Sequence, residues 1–180
     1  MGGASATETD ERKPIFLVGM MGAGKSTIGP SLAARLGRDF VDTDQEVERV
    51  AEATIADLFE REGEAGFRKR ERAAIETARQ AGAVVALGGG AIVQPGAADH
   101  LVESGLVVWL EADPDTILAR IGDASTRPLL AGLDPAGQRA RLEGLLADRK
   151  PYYARASIRV DATGTAEAVV DSIIAEMHGR

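Results

Sequence analysis

Ile15-Phe16-Leu17-Val18-Gly19-Met20-Met21-Gly22-Ala23-Gly24-Lys25-Ser26-Thr27 is the stretch whose reading decides the fold. Its first four residues form a continuous apolar, β-rich run. The next eight match the spacing G-x-x-x-x-G-K-[ST], and Ile28, Leu32 and Leu36 then recur at helical spacing up to Gly37. A buried strand that passes through glycines into the first turn of a helix makes a cradle for phosphate. The glycines let successive N–H groups converge, and the helix N-terminus adds its positive end. The Lys25 ammonium reaches the β and γ phosphates, and the Ser26 hydroxyl is placed to bind Mg²⁺. Nucleotide contacts are therefore assigned to Gly22, Ala23, Gly24, Lys25, Ser26 and Thr27. A glycine-rich turn without a ligand is the other reading, and eight matched positions with the correct flanks argue against it.

Outward from this stretch, β-rich runs alternate with helical segments, the pattern of βαβ units in a parallel sheet covered on both faces. Strands are expected at Ile15–Val18, Phe40–Asp42, Val84–Leu87, Leu106–Leu110 and Ile158–Asp161. Helices are expected from near Lys25 to Gly37, over Ala65–Ala81 with Gly82 as the stop, after Asp113-Pro114, and over Ala166–Met177. The expected fold class is therefore α/β. Two stretches break the alternation. Residues 44–82 are more helical sequence than a crossover needs, and suit a substrate-binding region. Residues 122–137, rich in Gly, Pro, Ala and Asp around Arg127, read as a lid or as a plain connector.

Composition narrows the classes. The chain has 180 residues, enough for one core, and residues 13–180 read as a single domain. Its formal net charge of −7 argues against a nucleic-acid binder of the usual basic kind. Without cysteine there is no disulfide framework, thiolate metal site or Cys nucleophile. No apolar run approaches the ~20 residues that span a bilayer. Residues 1–12 lack the features of a signal peptide and read as a disordered polar tail, so a cytoplasmic protein is expected. With no heptads or long apolar edge in view, a monomer is expected.

Further candidates cluster at strand ends. Asp42 and Asp44 follow the second strand and should emerge on the rim where parallel sheets bind ligands. One would serve a metal and the other an acceptor hydroxyl, although Asp44 also suits the cap of a helix starting at Gln45. In Phe67-Arg68-Lys69-Arg70-Glu71, Arg68 and Glu71 share a helix face, so Glu71 can hold Arg68 for bidentate capture of a carboxylate or phosphate; a solvated charge run is the plainer meaning. Gly88-Gly89-Gly90 suggests close approach of a ligand or backbone, or only a flexible turn. Arg127 and Arg149 are candidate cationic clamps, or single surface arginines. Pro30 lies inside the first helix and removes the N–H that would meet the Ser26 carbonyl, so a bend is expected there.

Taken together, GMMGAGKSTIG at 19–29, DTD at 42–44, FRKRE at 67–71, GGGAIV at 88–93, TRPLL at 126–130 and RKPYY at 149–153 resemble the shikimate kinase family in order and approximate spacing. The resemblance implies a nucleoside-monophosphate-kinase-like, three-layer α/β/α sandwich around a five-stranded parallel sheet ordered 2-3-1-4-5. It implies ATP-dependent phosphorylation of the shikimate 3-hydroxyl on the route to aromatic amino acids. Asp44, Arg68, Gly89, Gly90 and Arg149 would bind shikimate, Phe59 and Phe67 would line its pocket, and Glu71 would orient Arg68. Ser26 and Asp42 would serve Mg²⁺, Lys25 the phosphates, Arg127 the nucleotide phosphates from a lid, and Arg120 the adenine face. Lys25, Asp44 and Arg127 would carry the chemistry. Tyr152 stands where the family usually has leucine, and would alter the packing behind Arg149. Alternatives are a gluconate-type or nucleotide kinase, or a nucleotide-binding module without chemistry.

Overall fold

The computed structural model describes residues 13–122 and 129–179. Five short runs, most of them apolar, form β1 (Ile15–Val18), β2 (Phe40–Asp42), β3 (Val84–Ala86), β4 (Leu106–Glu111) and β5 (Ile158–Asp161), all parallel and ordered β2-β3-β1-β4-β5. Register is continuous across the sheet: Ile15 lies opposite Val84 and Leu106, Phe40 opposite Val84, and Val108 opposite Ile158. The expected strand positions hold, with β3 one residue shorter and β4 one longer than their apolar runs.

Side chains of successive strand residues point to opposite faces, so a strand apolar at every position must be covered on both. On one face Phe16, Val18, Val85, Val107 and Trp109 form one buried cluster; on the other Ile15, Leu17, Val84, Val108 and Leu110 form a second. Edge strand β5 alternates instead, burying Ile158 and Val160 while Arg159 and Asp161 face water.

Glycine or a capping side chain opens each helix. Gly24, at φ 98°, starts α1 (Lys25–Leu36), and Gly37, at φ 61°, ends it. Next come α2 (Thr43–Ala51), α3 (Ile55–Gln80) and α4 (Ala97–Ser104). The chain continues with α5 (Pro114–Ile121), α6 (Pro135–Tyr153) and α7 (Ala166–His178). Thr54 and Asp57 form a reciprocal capping box on α3, while Asp113, Asp134 and Thr165 cap α5, α6 and α7. No described helix is long and apolar enough to cross a membrane.

Three expectations need correction. The helix expected over Ala65–Ala81 begins ten residues earlier, because the Thr54 capping box nucleates it, and it kinks at Gly63, whose φ of 69° and ψ of −177° suit glycine alone. The region read as a loop to residue 137 is helical from Pro135, where Asp134 accepts from the Gly137 N–H. Helices α4 and α6 were not foreseen. The α6 sequence is apolar at few positions, and its helicity is secured by burial of Leu142, Leu145 and Tyr153. α1 is continuous from Lys25 to Leu36 through Pro30, which lies on its exposed side.

The order of strands fixes where ligands can sit. β1 leads out to β2 at one edge while β4 and β5 fill the other side, so a crevice opens beyond the carboxyl ends of the central strands. The phosphate loop follows β1, Asp42 ends β2 with Thr43 and Asp44 next in the first turn of α2, and the glycine run follows β3.

Candidate active site

The phosphate loop is shaped by Gly19, Gly22 and Gly24, with φ of 147°, 74° and 98°, values that strain any residue with a Cβ. At Gly19 there is also no room, since a Cβ would lie 2.5 Å from the Leu110 carbonyl oxygen. Within this loop the Lys25 ammonium donates to the carbonyls of Gly19 at 2.8 Å and Met20 at 3.0 Å. Ser26 donates to Asp42 Oδ2 at 2.6 Å, which ties the loop to the end of β2.

Asp42 does the capping: its Oδ1 accepts from the N–H groups of Asp44 at 3.1 Å and Gln45 at 3.4 Å. The cap role weighed for Asp44 therefore belongs to Asp42, because α2 starts two residues earlier than that reading assumed. Asp44, relieved of it, sits in the first turn facing the crevice. Burial holds its carboxyl above its ordinary value of 3.8, the Asp42 carboxylate adds to this, and Lys25 and Arg68 oppose it. The oxygens of Ser26 and Asp42 are hard donors standing side by side. Such a sparse pair fits Mg²⁺, which keeps water and phosphate oxygens for most of its shell. Among the described residues no group of three or more His, Asp or Glu forms a separate metal cage.

The glycine run meets a charged group at every position. A Cβ on Gly88 would lie 2.5 Å from Asp44 Oδ1 and 2.7 Å from Glu71 Oε1; one on Gly89, 3.1 Å from Arg149 Nη1; one on Gly90, 2.6 Å from Arg68 Nη2. The run is thus a platform against which Asp44, Glu71, Arg149 and Arg68 pack, and the plain-turn reading is set aside.

Glu71, 2 % exposed, accepts from Arg68 Nη1 at 2.7 Å, so the three-residue spacing read in the sequence is used. Its other oxygen is buried without a hydrogen-bond partner, and desolvation pushes its carboxyl up while Arg68 pulls it down. Arg68 also lies over the Phe67 ring, 5.1 Å from its centroid. Phe67 is buried with Val47, Leu58 and Ala74 in a small core between α2 and α3. Phe59 meets Phe67 at 4.9 Å between centroids. Residues eight apart on a straight helix would stand about 12 Å apart along its axis, so the Gly63 kink brings the two rings together. The Arg70 guanidinium donates twice to Glu62, at 2.9 and 2.7 Å, across the same kink.

Arg149, near the end of α6, reaches Met20 Sδ at 3.6 Å, and the Tyr153 hydroxyl reaches the same sulfur at 3.8 Å. Tyr153, 1 % exposed and stacked on Trp109, is the residue packed behind Arg149. Tyr152, 39 % exposed, faces outward, so its replacement of leucine does not alter that packing. Arg120 donates to the carbonyls of Ala162 at 2.6 Å, Gly164 at 3.2 Å and Ala23 at 3.4 Å, which fixes its guanidinium beside the loop.

One cavity of about 550 Å³ is lined by Gly22, Gly24, Lys25, Ser26, Thr27, Arg120, Asp42, Asp44, Gly88 and Gly89. Arg68 and Glu71 border a neighbouring cavity of about 630 Å³ between α3 and α4. Arg127, with residues 123–128 of the proposed lid, lies outside the described residues, as do residues 1–12. Reasoning from sequence missed Thr43, Met20 and Tyr153, which touch the site only through the folded chain. Thr43 alone carried a signal, a polar residue between two functional carboxylates.

A family model described as shikimate kinase matches residues 21–178. A shikimate kinase from Rhodopseudomonas palustris is 43% identical over 168 residues, covering 92% of this chain and 81% of that protein. Among solved structures, a shikimate kinase from Acinetobacter baumannii in complex with shikimate superposes with a TM-score of 0.84 at 36% identity, covering 97% of this chain and 98% of that one. A gluconokinase from Sinorhizobium meliloti reaches a TM-score of 0.56 at 19% identity, covering 93% and 92%, and shares the fold alone.

Proposed function

The chain belongs to the shikimate kinase family and is an enzyme of that activity, and on this premise we propose how its residues transfer a phosphoryl group from ATP to the 3-hydroxyl of shikimate. The observation that carries the reading is that Lys25, Ser26 and Thr27 line the same cavity as Asp44, Gly88 and Gly89. A donor phosphate and an acceptor hydroxyl held by those residues lie within one cavity. Gathering both reactants this way supplies much of the rate in a reaction with little covalent work for the protein.

On the acceptor side, Arg68 and Arg149 take the shikimate carboxylate and Asp44 holds the ring hydroxyls. Gly89 and Gly90 leave room for the ring, Phe59 and Phe67 form the apolar wall, and Glu71 keeps Arg68 in place. Two guanidiniums beside a glycine platform suit a small anionic polyol, since planar N–H pairs match a carboxylate. On the donor side, the loop N–H groups from Gly22 to Thr27 and Lys25 hold the phosphates, Arg120 flanks the nucleotide base, and Arg127 serves the phosphates. Ser26 and Asp42 would hold Mg²⁺, which when bound neutralises charge on the phosphates. Asp44 keeps the hydroxyl aligned and takes its proton late, because the transition state is loose and asks little of a base. Its raised proton affinity supports that last step. Residues 44–82 form the acceptor-binding part of one kinase domain. A monomer in the cytoplasm completes the proposal, and family membership supports the location.

Release of ADP, measured with Mg²⁺-ATP alone and then with shikimate, quinate, gluconate or nucleoside monophosphates, tests the reading. Strong stimulation by shikimate alone is expected. Equal stimulation by gluconate, or none by any acceptor, would overturn it.

A further inference from the structure

Thr43 stands between Asp42 and Asp44, which both line the cavity, while its own side chain is fully buried. Its Oγ1 accepts a hydrogen bond from the Gly88 N–H at 3.0 Å, joining segments 45 residues apart. The place of this bond matters. The ladder between β2 and β3 runs through Phe40–Val84 and Val41–Val85 to Asp42–Ala86 and stops there. Beyond it the chain turns into α2 on one side, and on the other the Leu87 N–H bonds to Leu17 of β1. The Thr43 hydroxyl therefore continues by side chain a tie that the backbone has given up, at the point where both segments enter the site.

We propose that Thr43 is a positioning residue for the acceptor: by fixing Gly88 it sets the seat on which Asp44 and Glu71 rest, and through Glu71 the guanidinium of Arg68. Asp44 Oδ1 and Glu71 Oε1 both pack against Gly88, within 2.7 Å of the position a Cβ would take there. A shift of Gly88 changes both contacts together. The donor side has ties of its own. Asp42 is held independently by the N–H groups of Asp44 and Gln45 and by Ser26, and the phosphate loop has its own glycine geometry. Loss of the Thr43 bond should thus reach shikimate and spare ATP. The inference rests on the assignment of Asp44 and Arg68 to shikimate made above.

Two substitutions separate the hydroxyl from the shape. Thr43→Val keeps the branched outline and strands a buried N–H, whereas Thr43→Ser keeps the acceptor and loses a methyl. Steady-state kinetics should show the shikimate KM of Thr43→Val raised about tenfold, the order expected when a buried donor loses its partner. The ATP KM should stay within about twofold, and Thr43→Ser should stay near wild type on both. An unchanged shikimate KM in Thr43→Val, a parallel rise in both KM values, or equal damage from Ser and Val would each overturn the proposal. Arg68→Ala is the control: if it too leaves the shikimate KM unchanged, the site assignment itself has failed rather than the role of Thr43. Should Thr43→Val not fold, amide exchange of wild-type Gly88 decides instead, slow exchange supporting the bond and free exchange refuting it.

Discussion

The two sides of the crevice are made by different means. On the side proposed for the donor, eight consecutive residues, Gly19 to Ser26, carry nearly everything, and the shape comes from backbone angles that glycine permits. On the side proposed for the acceptor, Asp44, Phe59, Phe67, Arg68, Glu71, Gly88 to Gly90 and Arg149 come from four separated segments, and the shape comes from side chains packed against a glycine platform. A backbone cradle is a local object, insensitive to most distant changes. A side-chain platform is a tertiary object, in which removing one charge leaves another stranded in a place where water cannot replace it.

The comparison breaks most sharply at Lys25. Lys25→Ala should lower kcat/KM by about 10²–10³-fold or more while the melting temperature moves by only a few degrees, because the ammonium acts on charge rather than packing. Comparable loss of shikimate affinity in the same variant would show that the two sides are not separable.

Asp44→Asn keeps shape and one acceptor but cannot take a proton. It should lose most activity and also bind shikimate more weakly, as calorimetry would report. Unchanged affinity with turnover at least about a hundredfold lower would assign Asp44 as a general base instead of a positioning group.

Arg68 and Arg149 sharpen the comparison within the acceptor side. Each alanine variant should lose roughly 10- to 100-fold in shikimate affinity with ATP affinity within a few-fold of wild type. Only Arg68→Ala should also lower the melting temperature markedly, since it strands the buried Glu71 carboxylate, whereas Arg149 reaches the Met20 sulfur and the Tyr153 hydroxyl, neither of which is a charged partner. Equal thermal losses would remove the distinction.

The smallest effects on activity are expected where the donor helix meets the sheet. Gly29→Ala should destabilise by about 1–3 kcal/mol despite the better helix former, because its Cβ would overlap the Phe40 ring. Neighbouring Pro30→Ala should raise the melting temperature, by up to about 3 kcal/mol of stability, since Pro30 is exposed and its substitution restores a donor for the Ser26 carbonyl. Activity lost from Pro30→Ala at intact stability would mean that the proline positions the loop.

By itself the sequence determined the parallel sheet and the phosphate cradle, because both are written in neighbouring residues. Apolar runs at β1, β3 and β4 demand cover on two faces, and glycines at 19, 22 and 24 permit only a few loop shapes. It also determined that Arg68 and Glu71 would share a helix face, since that needs only a three-residue spacing. Tertiary structure alone decided that Asp42 rather than Asp44 caps α2, that Tyr153 rather than Tyr152 backs Arg149, and that Phe59 meets Phe67 across a kink at Gly63. It decided too that each glycine of the run after β3 would face a different charged partner. The physical reason is range. Backbone angles and helical spacing act over a few residues and are legible in order along the chain, whereas the fit of Asp44, Arg68 and Arg149 around Gly88 to Gly90 exists only once segments up to about a hundred residues apart have been packed at the density of a protein interior.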